Sequence, residues 1–242
     1  MSPKPSDRPR EVALLPSLLT TGNLLCGYGA IVFAAQGQFV AAAALVFLGM
    51  AFDILDGQVA RWMGIATDFG IEYDSLADVV TFGLAPSFIL VRFALEPLAR
   101  WGWVSGFLFV VGAALRLARF NVRTGDDSKT HFRGLPTPAA AGTVTSLVLF
   151  LTGYPLTWAG RLALAGLMPT LAVLMVSDLP YRHFKQRPRP VRRLSWFIAG
   201  FATLLALTVA APRWVLPGLF GGYTLLGPVT ALMQRVRPRG GA

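Results

Sequence analysis

Four aspartates, Asp53, Asp56, Asp74 and Asp78, stand at the seams of apolar runs in a chain that uses acid sparingly. Asp53, Asp56, Gly57 and Ala60 fall at i, i+3, i+4 and i+7, a single stripe along a helix. Gly70, Asp74 and Asp78 fall at i, i+4 and i+8, a second stripe. Carboxylate oxygens with no histidine or cysteine beside them suit hard divalent cations, Mg²⁺, Mn²⁺ or Ca²⁺. Magnesium is commonly shared between carboxylates and a substrate phosphate, and two ions about 4 Å apart clamp a phosphoryl centre during displacement. Gly57, Ala60 and Gly70 remove bulk on the same stripes, where an extended group can lie against helix backbone. Small residues in membrane helices also serve close packing. Arg61 adds positive charge next to the first pair.

The elements that must position these residues are membrane helices. Of 242 residues, 54% are hydrophobic and 14% charged, against roughly 25% charged in soluble domains. The mean hydropathy is +0.56. Repeated apolar runs of about 20 residues predict an all-α, polytopic transmembrane bundle, and the absence of period-two alternation argues against a β-barrel. Eight helices are expected, near 16–36, 39–62, 71–95, 102–123, 137–153, 157–178, 194–211 and 214–232. The N-terminal stretch has no apolar region followed by a small-residue cleavage site, so the first span is expected to be retained. With both termini in the cytoplasm, 18 of the 22 lysines and arginines fall inside and 4 outside, as the positive-inside rule requires. The expected organisation is a disordered basic arm (1–12), a catalytic core (13–153), additional helices (154–232) and a basic tail (233–242).

This topology puts the end of helix 2 and the start of helix 3 on one side, joined by a short loop. The two aspartate stripes can then face each other at one depth. A carboxylate at the centre of a span costs about 2.5–3.5 kcal/mol on insertion scales. Such groups usually face a bundle interior or a water-filled cavity and mark a site. The net charge of +10 is read as topology and contact with anionic lipid rather than nucleic acid. The basic run 181–193 fits the same reading. Cys26 is the single cysteine, which excludes an intramolecular disulfide. His131 and His183 have no partner at metal-ligand spacing.

The full pattern is Asp53-x-x-Asp56-Gly57-x-x-Ala60-Arg61, eight residues, then Gly70-x-x-x-Asp74-x-x-x-Asp78. It resembles the signature of the CDP-alcohol phosphotransferase family at every fixed position. Four flanking stretches, LLTTGNLLCGYGAI (18–31), EYDSLADVVTFGLAPS (72–87), RLARFNV (116–122) and FRGLPTPAAAG (132–142), are similar to the membrane-embedded phosphatidylserine synthase branch. The resemblance covers roughly residues 12–153. It implies an enzyme that transfers the phosphatidyl group of CDP-diacylglycerol to L-serine and releases CMP. It further implies Asp53, Asp56, Asp74 and Asp78 around Mg²⁺ or Mn²⁺ ions, with Asp78 as general base. Gly57, Ala60, Arg61 and Gly70 would border the CDP moiety, and Asn23 would face the donor headgroup. A homodimer in the cell (inner) membrane, with its site facing the cytoplasm, is also implied.

A serine acceptor needs its carboxylate recognised. Arg116 and Arg119, one turn apart, are the leading candidates, followed by Arg133; an arginine pair there could bind a carboxylate or a phosphate by forked hydrogen bonds. The alternative for each is a topology anchor that snorkels to the interface. Asn121 is expected to orient one of these arginines or to cap its helix, and Ser75 and Thr81 to touch substrate or bond back to their own helix. Glu72 is expected to be solvated. Within the family, glycerol 3-phosphate, an inositol phosphate or an ether-lipid donor with serine are the competing substrates. A cation transporter is the competing class, disfavoured because the acids sit at one edge and no second half repeats them.

Overall fold

The computed structural model describes residues 14–64, 67–124, 134–179 and 210–236. Among them the chain forms seven helices and no strand: α1 (Leu14–Ala35), α2 (Phe39–Met63), α3 (Asp68–Leu98), α4 (Arg100–Thr124), α5 (Thr137–Leu151), α6 (Trp158–Val176) and α7 (Pro212–Val236). The helix expected near 194–211, the arm at 1–12, the basic run 181–193, and Arg133, His131 and His183 lie outside the described residues. Five helices, α1 to α4 and α6, are long and apolar enough to cross a membrane. The protein is a multi-pass helical membrane bundle.

The helix ends nearest the aspartates follow from local chemistry. Gly64 adopts the left-handed conformation (φ 63°) and donates its N–H to the Ala60 and Arg61 carbonyls, which stops α2. Three residues later Thr67 caps α3, its hydroxyl accepting the Gly70 N–H at 3.0 Å. The end of α2 and the start of α3, which carry the two aspartate stripes, are therefore each capped. α3 starts at Asp68, one turn earlier than the apolar pattern suggests, because Thr67 rather than apolarity sets its first residue.

α3 is the central element. In its apolar window 61% of residues are buried, against 28–39% in the other four spans. Phe82, Ile89, Leu90 and Leu95 on α3 are fully enclosed, and they join Phe109 of α4 and Met168 and Leu171 of α6 in one core. Its backbone widens twice into π-turns, at Val79–Leu84 and Val91–Leu95. A proline follows each, Pro86 and Pro97. Proline offers no N–H and presses on the carbonyl four residues back, so an extra residue in the preceding turn relieves the clash. In α6, Pro169 likewise frees the Ala165 carbonyl, and Ser105 of α4 donates to it at 2.5 Å. Leu25, Trp101, Phe107, Leu162 and Val173 remain exposed on the outside of the bundle, as lipid-facing residues should.

α1 and α2 reach α3 at two glycines. A Cβ on Gly27 would sit 2.4 Å from Thr81 Oγ1 and 2.8 Å from the Thr81 Cα, and one on Gly49 would sit 2.6 Å from Thr81 Cγ2. The Thr81 backbone cannot yield without moving the core of α3. Gly27→Ala is therefore expected to destabilise the bundle by about 1–3 kcal/mol, the usual cost of overpacking. Gly166, where an added Cβ would meet nothing within 4 Å, serves as the control. Thermal unfolding in detergent should show a lower midpoint for Gly27→Ala and no loss for Gly166→Ala.

Candidate active site

The end of α2 and the start of α3 bring the two stripes together. One carboxylate oxygen from each of Asp53, Asp56 and Asp74 lies within 4.8 Å of the other two. Asp78, one turn further along α3, stands outside this trio but within electrostatic reach of all three. No ion pair joins any of the four among the described residues. Thr20 of α1 supports the trio: its Oγ1 lies 2.9 Å from Asp56 Oδ2 and 3.1 Å from the Pro16 carbonyl, so its one proton is shared between them. Asp74 Oδ1 is buried and has no hydrogen-bond partner.

Three converging carboxylates, one of them with a buried unpartnered oxygen, fit a divalent cation. An unpaired buried carboxylate oxygen is costly unless a cation or donor completes it. Asp53, Asp56 and Asp74 are the residues that would hold such an ion.

Beside the trio is a pocket of about 160 Å³ lined by Pro16, Ser17, Thr20, Asp56, Gly57, Ala60, Thr67, Gly70, Ile71 and Asp74. Gly57, Ala60 and Gly70, the small residues of the two stripes, form part of this wall. Ser17, Thr20 and Thr67 join it without having been expected there. A signal for the first two exists, since Ser17, Thr20 and Asn23 recur every three residues in an otherwise apolar helix. Arg61 is exposed and folds back on its own helix, with Nε donating to the Gly57 carbonyl at 2.8 Å.

Asn23 is fully enclosed and donates Nδ2 to Asp78 Oδ1 at 3.0 Å. Thr81 does not bond back along its own helix. It donates to the Asn23 carbonyl at 2.9 Å, across the α1–α3 contact. Ser75 pairs with Asn121 Oδ1 at 3.2 Å, and Asn121 Nδ2 donates to Glu72 at 3.1 Å. Asn121 thus ties α4 to the start of α3, and Glu72 has a partner.

The arginines separate. Arg116 turns inward: Nη1 donates to Thr137 at 2.7 Å, Nε is buried with no hydrogen-bond partner, and Asp78 and Tyr223 lie within electrostatic reach. Arg119 turns away. It pairs with Asp178 at 2.9 Å and donates to the Val176 carbonyl at 3.0 Å, which pins α4 to the end of α6. Thr137 is placed by the turn before α5. Gly134 (φ 91°) donates to the Leu179 carbonyl, and a Cβ there would meet the Met175 carbonyl at 2.4 Å. Tyr223 comes from α7, which docks on α5 through a 2.8 Å Thr143–Thr224 hydroxyl contact.

The helical membrane bundle thus carries a carboxylate cluster beside a pocket at one end of its helices. The CDP-alcohol phosphatidyltransferase family description matches residues 13–179, and the chain belongs to that family. Over 228 residues it is 36% identical to a Helicobacter pylori protein named CDP-diacylglycerol--serine O-phosphatidyltransferase, covering 93% of each chain. A Mycobacterium tuberculosis protein of the same name is 33% identical over 236 residues, 93% of this chain and 80% of that one. An archaetidylserine synthase of Methanothermobacter thermautotrophicus is 40% identical over 169 residues, 69% of each.

Replacing Thr20 by valine keeps the shape beside Asp56 and removes the hydroxyl. Loss of a group that orients a metal ligand typically costs 10–100-fold in affinity. Mn²⁺ titration of the purified protein should show a weakening of about that size in Thr20→Val.

Proposed function

We propose that the protein transfers the phosphatidyl group of CDP-diacylglycerol to the hydroxyl of L-serine, giving phosphatidylserine and CMP. The observation that carries the transfer chemistry is the Asp53–Asp56–Asp74 cluster beside a pocket walled by Gly57, Ala60 and Gly70. The serine acceptor is supported by the names of the relatives, both bacterial and archaeal. Mg²⁺ or Mn²⁺ ions bound at the cluster would neutralise the donor pyrophosphate and stabilise CMP as a leaving group.

The remaining roles fall to side chains. The pocket takes the nucleotide end of the donor, with the acyl chains left in lipid. Thr20 keeps Asp56 oriented. Asp78 accepts the proton of the serine hydroxyl as the new oxygen–phosphorus bond forms and the bond to the CMP oxygen breaks. Arg116 receives the serine carboxylate through the edge that carries its unpartnered Nε, a forked geometry that guanidinium offers and ammonium does not. Arg119, held by Asp178, secures the helix that carries Arg116. The cluster faces the cytoplasm of a cell (inner) membrane, which brings serine and nucleotide from water to the membrane edge. The distribution of lysine and arginine supports that orientation. A homodimer belongs to the same proposal and rests on family resemblance.

CMP release is the direct test. Purified protein given CDP-diacylglycerol and Mn²⁺ is expected to release CMP when serine is added and not with glycerol 3-phosphate or an inositol phosphate. Chelation with EDTA should abolish release, and Mn²⁺ should restore it. Asp78→Asn should lower kcat by about 10²–10⁴-fold, the usual contribution of a positioned acid–base group. Arg116→Met should raise the KM for serine while leaving the KM for CDP-diacylglycerol in place. Release that is independent of serine would overturn the acceptor assignment. A preference for CDP-archaeol would move the donor to the ether-lipid class.

A further inference from the structure

Asn23 is expected from the family resemblance at the donor headgroup, yet its side chain is enclosed between α2 and α3 and reaches only the aspartate at the far end of the cluster. We propose that Asn23 is a positioning residue for Asp78: its amide fixes one carboxylate oxygen so that the other is the single oxygen presented to the acceptor hydroxyl. This inference rests on the assignment of Asp78 as the base.

Three observations carry it. First, Asn23 Nδ2 donates to Asp78 Oδ1 at 3.0 Å, and both residues are buried. An ionised carboxylate only accepts, so the amide nitrogen must face it. Asp78 Oδ2 makes no hydrogen bond among the described residues. Second, the amide has nowhere else to go. Its Oδ1 has no hydrogen-bond partner and lies against Gly49, where an added Cβ would come within 2.9 Å of it. A fold that leaves a buried amide oxygen unsatisfied accepts the desolvation cost of that group. The geometry therefore favours the Asp78 contact over satisfying the amide. Third, the Asn23 backbone is fixed from the same helix that carries Asp78. Thr81 donates to the Asn23 carbonyl at 2.9 Å, three residues beyond Asp78 and inside the first π-turn. Asn23 thus meets α3 at two points less than one turn apart, and Gly27 allows the approach. Neither Asn23 nor Asp78 lines the nucleotide pocket.

A donor-binding residue and a base-positioning residue differ in which kinetic constant they govern. A misplacement of about 1 Å at a reacting group can cost on the order of 10²-fold, without loss of donor binding. The test uses the full-length protein in lipid nanodiscs, with serine-dependent CMP release measured and active sites counted by CDP binding in Mn²⁺. Asn23→Ala is expected to lower kcat per CDP-binding site by about 10–100-fold, with the KM for CDP-diacylglycerol within about twofold of the parent. Thr81→Val, which keeps the volume but frees the Asn23 carbonyl, is expected to lower kcat per site less, in the same direction, with the same KM. A purely structural role would reduce the number of CDP-binding sites and leave kcat per site unchanged, which would overturn the proposal. So would a raised KM for CDP-diacylglycerol with kcat retained, the signature of donor binding. If Asn23→Ala gives too few sites to measure, Thr81→Val and Asn23→Leu, which keeps the size and removes the donor, decide the question by the same criterion. Asp78→Asn in the same assay separates the two readings. If it retains the parent rate, the base assignment itself falls; if it is inactive while kcat per site survives in the Asn23 variants, only the positioning role falls.

Discussion

Mutual repulsion of carboxylates at the edge of a membrane governs the arrangement around them. Two unit charges 4 Å apart interact by about 4 kcal/mol at an effective dielectric of 20. A hydrogen bond to a charged group returns about 1.5–3 kcal/mol. Thr20 on Asp56 and Asn23 on Asp78 are two such bonds against a cluster of four acids. They orient the carboxylates but do not balance them. No lysine or arginine forms an ion pair with the cluster among the described residues, and Arg116 reaches only Asp78 electrostatically, so a bound divalent cation would supply the balance. A site held this way is suited to a substrate that carries its own negative charge and needs the cations to bind.

Holding the cluster together requires helices closer than ordinary side chains permit. Gly27 and Gly49 let α1 and α2 touch α3 at Thr81, and that contact lies one turn from Asp78. The π-turn that contains Thr81 reconciles the site with Pro86 further along the same helix. One short stretch of α3 therefore carries Asp78, the bond to α1 and the adjustment that lets the helix continue into the core. Packing and chemistry are not separable there, and for that reason the tests of this region count binding sites as well as turnover.

The surroundings of Arg116 are built from chain that is distant in sequence. Arg116 comes from α4, Thr137 from the start of α5, and Tyr223 from α7, beyond the segment that carries the family signature. α6 holds this wall in place twice. It accepts the Gly134–Leu135 turn through the Leu174 and Leu179 carbonyls at and just past its end, and it anchors Arg119 through Val176 and Asp178. Helices with no motif of their own thereby position the loop that presents Thr137 to Arg116.

The sequence by itself determined the membrane bundle, the two aspartate stripes and the small residues beside them. These are consequences of local periodicity and of length, and both are written in consecutive residues. It also contained Thr67 and Gly64 as cap residues, which are local signals of the same kind. What only the tertiary structure decided was the partner of each polar side chain. Asn23 is a polar residue in an apolar helix whichever helix it faces, and its bond to Asp78 depends on how α1 crosses α3. Arg116 and Arg119 are equivalent by spacing, one turn apart. One meets Thr137 at the start of α5, with Asp78 in electrostatic reach, and the other meets Asp178 just past α6, partners that the spacing does not specify. The four acids could be read from their intervals, whereas the groups that orient them arrive from helices whose approach no interval encodes.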